Sequence, residues 1–286
     1  MSSIMSELVI PHWRIFNSND KHYTINLDMI TTEMLDDLVF SDFDYNINFR
    51  IQGPCNPELD IDKIMKKLNN IKCMTIGFNN YNLSIPNPPS MLEDFTDYGM
   101  NTNINLTNCT HLRTYKFDSD QNAKIPLLPQ GVTNVCIKAK TVTESLALPS
   151  SITHLTIELE ELCCNLDIWP VMLENFYISI RYTGKYAISI LPPNLTILKY
   201  MCDKILYHID MPPLLKTLCI VTNQEYPYSL EDLPDGIEYF ETSYKTKPNI
   251  MQLPKNCKKF VYARCKESHF RELCKKYKGK CKIANS

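Results

Sequence analysis

The chain has few glycines and lacks the short motifs that mark common enzyme sites. Seven glycines occur in 286 residues, so the connecting segments are expected to be extended or 3₁₀ rather than left-handed turns. No phosphate-binding glycine loop, dinucleotide-binding pattern, nucleophile elbow or His-Glu-x-x-His motif is present. The six histidines are scattered. We therefore expect no enzyme, no catalytic residue and no cofactor.

Long apolar runs are also missing. Residues 1–10 contain no signal-peptide core, and no stretch approaches the roughly 20 apolar residues of a membrane span. The twelve cysteines fall at unrelated positions, which is not the pattern of a disulfide framework. We expect an intracellular protein with reduced thiols and no membrane contact.

The best candidate for a metal site is a group of four residues near the end of the chain: Cys265, His269, Cys274 and Cys281. Structural zinc usually takes closely spaced cysteine pairs. The spacing here matches no zinc motif, and Cys274 also fits the apolar face of a predicted helix. We therefore predict no metal site.

Proline returns at a regular interval through the second half of the chain. The gaps are 20 to 22 residues, and the prolines are Pro129, Pro149, Pro170, Pro192, Pro212, Pro234 and Pro254. An apolar residue precedes each of them. A fixed period of this size is typical of a solenoid, whose units cannot bury their apolar face alone.

Each proline is followed by large apolar residues at fixed positions. Counting from the proline, these are mostly positions +3, +6 and +8, which hold Leu195, Leu198 and Tyr200 in the unit of Pro192. Positions +6 and +8 alternate as in a strand with one buried face. Proline has no N–H, so it belongs in the turn before the strand. We predict a turn, a short strand and a return segment in each unit, with parallel pairing between units.

The same spacing continues upstream without the proline landmark. Leu68, Pro89 and Cys109 occupy the proline position, in steps of 21, 20 and 20 residues, although Asp97 is polar at +8. The register predicts ten units over residues 68–265. An earlier strand is predicted at Tyr45 to Ile51, where apolar and polar residues alternate.

The pattern Leu-Pro-x-x-Leu-x-x-Leu-x-Leu resembles a leucine-rich repeat, and its short form is similar to the FNIP-type repeats of amoebae and giant viruses. The clearest copies are 148–155 and 191–198. The resemblance implies an α/β leucine-rich-repeat solenoid (horseshoe) with a curved parallel sheet, few helices and helical caps. It also implies a scaffold, because the family is defined by its architecture. The usual Asn after the strand, at +11, is present here only as Asn223.

The two ends are predicted as caps of one continuous domain. Residues 1–67 form the N-terminal cap, with helices at Thr32 to Phe40 and at Glu58 to Asn69, the second opened by Pro57 at its first position. Residues 266–286 form a basic cap, with a helix at Ser268 to Lys278 and a final strand at Lys280 to Ile283.

Charge is distributed unevenly along the chain. Residues 255–286 carry eleven Lys or Arg and two Glu, a net charge of +9, against −11 for the rest. Such an end attracts acidic partners or nucleic acid. Nucleic-acid binding is not expected, because it calls for exposed aromatic residues interleaved with the basic ones, and only Tyr262 and Tyr277 are near.

Positions +5, +7 and +9 point away from the core, because side chains alternate along a strand. In the later units these positions include apolar residues, which predict an exposed patch for an unidentified protein partner or a second copy of this chain. The predicted contact residues are Tyr177, Ile197, Lys199, Met201, Val221, Tyr239 and Val261.

Two functions fit the sequence. The first is a non-enzymatic interaction scaffold, as a viral module that binds a host protein in the host cytoplasm. The alternative is a ubiquitin-ligase substrate receptor with a diverged or lost F-box, because the FNIP resemblance implies an N-terminal F-box. Residues 30–40 are too short for one and lack its Leu-Pro opening.

Overall fold

The computed structural model describes residues 22–26, 48–52, 60–77, 84–98, 103–142, 145–164, 166, 168–182, 188, 190–202, 210–222, 233–243, 253–263, 275 and 281–284. The chain divides into two compact units, Met1–His111 and Leu112–Ser286. One continuous domain stays a prediction.

Unit 1 contains two parallel sheets and one short helix. Its elements are β1 (His22–Asn26), β2 (Asn48–Gln52), α1 (Ile61–Lys67), β3 (Cys73–Ile76), β4 (Ser84–Ile85), β5 (Asp94–Asp97) and β6 (Asn103–Ile104). The order in the larger sheet is β1, β2, β3, β5, and β4 pairs with β6. The predicted strand at Tyr45 to Ile51 is described as β2, whereas β1 was not predicted.

Helix α1 is shorter than the sequence predicts. It begins at Ile61, not at Pro57, because the Asp60 carboxylate accepts a hydrogen bond from the backbone N–H of Lys63 at 3.0 Å and so caps the helix. Ile64 and Met65 are buried. Pro57 and the first predicted helix lie outside the described residues.

Unit 2 is a single sheet of nine parallel strands in chain order. The strands are β7 (Thr114–Asp118), β8 (Asn134–Val142), β9 (His154–Leu162), β10 (Asn175–Tyr182), β11 (Ile197–Cys202), β12 (Thr217–Thr222), β13 (Tyr239–Ser243), β14 (Lys259–Ala263) and β15 (Cys281–Ala284). The last of these overlaps the predicted strand at Lys280 to Ile283.

The core of unit 2 is a set of aligned columns. Strand pairing places position +6 of each unit beside position +6 of the next, and every member is at most 3% exposed: Val135, Leu155, Phe176, Leu198, Leu218, Phe240 and Phe260. Position +3 is fully buried in the same units. The predicted register is therefore confirmed.

A turn at each proline directs position +3 into the core. The carbonyl oxygen of Pro192 accepts a hydrogen bond from the N–H of Leu195 at 3.3 Å, and the same i to i+3 bond recurs at Pro89, Pro129, Pro149, Pro170, Pro212, Pro234 and Pro254. Proline suits this place because it fixes its own φ angle and needs no acceptor.

The carbonyl at position +4 joins successive units. The carbonyl oxygen of Thr196 accepts the N–H groups of Lys216 at 2.9 Å and Thr217 at 3.0 Å. That of Glu238 accepts those of Lys258 and Lys259 at 2.8 and 3.1 Å. One acceptor thus receives two donors from the next unit, just before the strand begins.

In the early strands of unit 2, position +11 lies within a strand and not at a bend. Strands β8 and β9 continue through position +11, held by Lys140 and Glu160, and remain paired as far as Val142 and Leu162. The chain does not bend at +11 in these units, so no side-chain amide is needed there to satisfy a bend.

The fold class is confirmed: both units are built from parallel strands stacked as a solenoid, with very few helices. The helical caps are not established. Lys275 is helical, and the rest of the predicted C-terminal helix lies outside the described residues.

Replacing Leu198 by Ala should lower the free energy of unfolding by about 2–5 kcal/mol, because a fully buried column loses methyl groups and gains a cavity. The matched control is Ile197→Ala on the opposite face of the same strand, with an expected loss of under about 1 kcal/mol. Urea unfolding measures both. Equal losses would contradict the register.

Candidate interaction surface

The outward side of β10–β14, hereafter the strand face, carries the predicted contact residues in three rows. Position +5 places Ile197 and Tyr239 in one row, two strands apart. Position +7 pairs Tyr177 with Lys199, and position +9 pairs Met201 directly with Val221. Strand pairing thus brings these six residues together on one surface.

Exposure on the strand face is uneven. Ile197 is 36% exposed and Lys199 is exposed, whereas Tyr177, Met201, Val221 and Tyr239 are half-buried. Val261 is 6% exposed, so its predicted exposure is wrong. In the pairing register it lies between Glu241 of β13 and Lys282 of β15. Alternation predicts the face on which a side chain lies, but not how far its neighbours cover it.

The tyrosines of the strand face have defined partners. The Tyr239 hydroxyl donates to Glu241 Oε2 at 2.7 Å, and Lys259 Nζ lies 4.9 Å from the centre of the Tyr239 ring. The Tyr177 hydroxyl lies 3.4 Å from Met201 Sδ. These contacts hold both rings in place, which lowers the entropy that a partner must remove on binding.

A groove of about 610 Å³ crosses strands β8 to β12 near position +9, towards their C-terminal ends. Met201 and Val221 line the apolar end of the groove, together with Cys202 and Thr222. Its other end is charged and includes Lys138, Glu158, Glu160 and Arg181. This volume is within the range of sites that hold small ligands or several side chains.

The thiols near this surface are poor nucleophiles. Burial and the neighbouring Glu241 raise the pKa of Cys219 to about 11, and burial raises the pKa of Cys136. Thiolate, not thiol, is the reactive form, so neither cysteine is suited to covalent catalysis at neutral pH. No disulfide involves the eight cysteines whose side chains the structure describes.

The most exposed large apolar side chains lie elsewhere, beside the proline turns. We call this set the turn ridge: Leu127, Ile168, Val171, Met172, Ile190 and Leu214, each between 51% and 73% exposed. The Trp169 indole N–H donates to the Ile190 carbonyl oxygen at 2.7 Å, which sets neighbouring units side by side. The sequence reasoning missed this ridge. A signal was present, since Leu127, Ile168 and Ile190 all stand two residues before a proline.

Other predicted features cannot be placed. Cys265, His269 and Cys274 lie outside the described residues, as does the segment considered for an F-box. In the described part of the chain, no three potential ligands are grouped for a metal ion, and no helix is long and apolar enough to cross a membrane.

No protein-family model and no curated protein sequence matches the chain significantly. A solved structure is similar: the crystal structure of the giant-virus protein CroV588, described as a novel circular LRR protein. The TM-score is 0.55 and the sequence identity 19%, over 86% of this chain and 37% of that chain. The likeness shows a leucine-rich-repeat fold. The chain spans little more than a third of that neighbour's length, and the FNIP form of the repeat stays a prediction.

Burial, together with Glu241, raises the pKa of Tyr239 to about 12. Its protonated hydroxyl should therefore stabilise the fold fully below about pH 10, the ordinary tyrosine value, and lose that effect as the pH rises through 12. In an ultraviolet titration, Tyr239→Phe should remove a tyrosinate signal near pH 12. The control is the exposed Tyr182→Phe. Loss of a signal near pH 10 in Tyr239→Phe would contradict the assignment.

Proposed function

We propose that the chain is a non-enzymatic protein-interaction scaffold that binds its partner through the strand face. The observation that carries the proposal is the grouping of Ile197, Met201 and Val221 with two positioned tyrosines beside an open groove. Central aromatic and aliphatic side chains of this kind supply most of the binding energy in protein interfaces.

The fold supports the same function. Stacked repeats build extended binding surfaces from many units, and leucine-rich-repeat solenoids typically act as scaffolds. The raised thiol pKa values also make the nearest nucleophiles unreactive at neutral pH.

The proposal extends to the origin of the protein and to the kind of partner that it binds. The likeness to a giant-virus protein supports a viral module that binds a host protein in the host cytoplasm. The second candidate, a ubiquitin-ligase receptor with a diverged F-box, depends on the N-terminal segment. Recovery of ligase subunits with the full chain, and their loss on deleting residues 1–47, would favour that candidate.

The double change Ile197→Asp and Tyr239→Asp should abolish the main partner found by affinity purification, or convert a dimer to a monomer in sedimentation. The change removes two central apolar contacts from the interface and adds two carboxylates that binding would have to strip of water. Neither side chain points into the core, so the variant should still unfold cooperatively, with a urea midpoint lowered only by the lost Tyr239 contacts to Glu241 and Lys259.

The matched control is Ile168→Asp with Ile190→Asp, which adds the same charge to the turn ridge. We expect this variant to keep the partner. Loss of the partner by the ridge variant alone would move the binding surface to the turn ridge. Retention by both variants would contradict a binding role for either surface.

A further inference from the structure

Within the described part of the chain, Lys199 has no ion-pair partner, whereas three other lysines at the outward strand positions have a charged or aromatic partner. Lys116 and Lys138 lie 3.4 and 3.6 Å from the Asp118 carboxylate, and Lys259 lies over the Tyr239 ring. These three lysines and Lys199 are the cations at positions +5, +7 and +9 of β7 to β14. Among the described residues, no carboxylate lies within ion-pair distance of Lys199.

The surroundings of Lys199 are apolar or uncharged. Tyr177 and Cys219 flank it on the adjacent strands, and Ile197 and Met201 precede and follow it on the same side of β11. In the same row the next carboxylate is Glu241, two strands away. That separation is about 10 Å at the usual strand spacing, and Glu241 already accepts the Tyr239 hydroxyl.

A partner that covers this surface removes water from the Lys199 ammonium group. A buried ammonium without an opposite charge is strongly unfavourable, whereas a paired and hydrogen-bonded one is tolerated. The partner must therefore supply an acceptor at Lys199, and a carboxylate is the strongest one a protein offers.

The groove beside Lys199 indicates the shape of that partner. Its apolar end at Met201 and Val221 accepts an aliphatic side chain. An extended peptide advances about 3.3 Å per residue, so one or two residues cover the distance from Lys199 to this end. The far end holds two carboxylates and two cations, Glu158, Glu160, Lys138 and Arg181, so it lacks the excess of positive charge that binds a polyanion such as nucleic acid.

We propose that the strand face recognises an extended peptide segment of a partner protein in which one Asp or Glu lies within two residues of an aliphatic side chain. The carboxylate pairs with Lys199, and the aliphatic side chain enters the groove at Met201 and Val221. This inference rests on the proposed scaffold function and adds the chemistry of the partner.

The test uses the full chain and a displayed library of random peptides. Selection should enrich sequences with an acidic residue next to an aliphatic one. For a synthetic enriched peptide, Lys199→Gln should weaken binding about 10- to 100-fold in fluorescence anisotropy, as expected for a charged hydrogen bond. Changing the peptide's acid to its amide should cost a similar factor, and the two changes together should cost little more than either alone.

Charge exchange provides the specific control. Lys199→Glu should reject the acidic peptide and bind a version with Lys at the acidic position, whereas Lys124→Glu, an exposed change in a connecting segment, should bind as the unchanged chain does. Enriched peptides with no acidic preference, or acid dependence that survives Lys199→Gln, would overturn the inference. The scaffold proposal would stand in that case if Ile197→Asp with Tyr239→Asp still abolished binding.

Two further outcomes separate the remaining possibilities. Peptide binding that survives the Ile197→Asp and Tyr239→Asp change, or no enrichment at all, would contradict both a binding role for the strand face and this inference. If oligothymidylate displaces the peptide at moderate salt, the ligand of the strand face is a nucleic acid and the inference of a peptide ligand is wrong.

Discussion

One backbone acceptor in each unit holds the register on which the rest of the structure depends. The carbonyl at position +4 receives two N–H groups from the next unit, immediately before the strand begins. Because side chains alternate with a period of two, a slip of one residue at this point would exchange the inward and outward faces. In the units of Pro129 to Pro234, the same proline turn precedes that carbonyl. The apolar columns are thus a consequence of the turn as much as of the strand.

The same register determines what the outer surface can do. The register places opposite charges on adjacent strands, and pairs such as Asp118 and Lys138 neutralise each other. Between the turns of neighbouring units, Glu238 and Lys258 form a similar pair at 2.7 Å. Exposed pairs of this kind contribute little to stability, but they remove charge that would otherwise attract ligands. What remains on the strand face is a small apolar group with one unmatched cation. The surface is suited to recognition because most of its charge is already paired.

Much of the fold was predictable from the sequence, because period and alternation are local patterns. Leu198 and Tyr200 could be assigned to the core from spacing alone, and both are buried. The surface was harder to predict. The exposure of Ile168 depends on how a turn projects from the stack, and alternation does not describe turns. The burial of Val261 and the isolation of Lys199 depend on which side chains pairing brings from residues about 20 positions away. Strand β1 was not predicted, because it lies upstream of the repeat register and spans only five residues.

Because the buried +6 positions of successive units are equivalent, whole units can be lost or gained during evolution. Position +6 of the Pro170 unit would face that of the Pro212 unit if residues 192–211 were removed, so Phe176 would pack on Leu218 as Leu198 does now. The interior would close again, while Ile197, Lys199 and Met201 would be lost from the surface. Recombination in steps of whole units can therefore lengthen, shorten or reassort the recognition surface without redesigning the core. The residues that form the core and those that form the outer surface lie on opposite faces of the same strands, so the two sets can change separately.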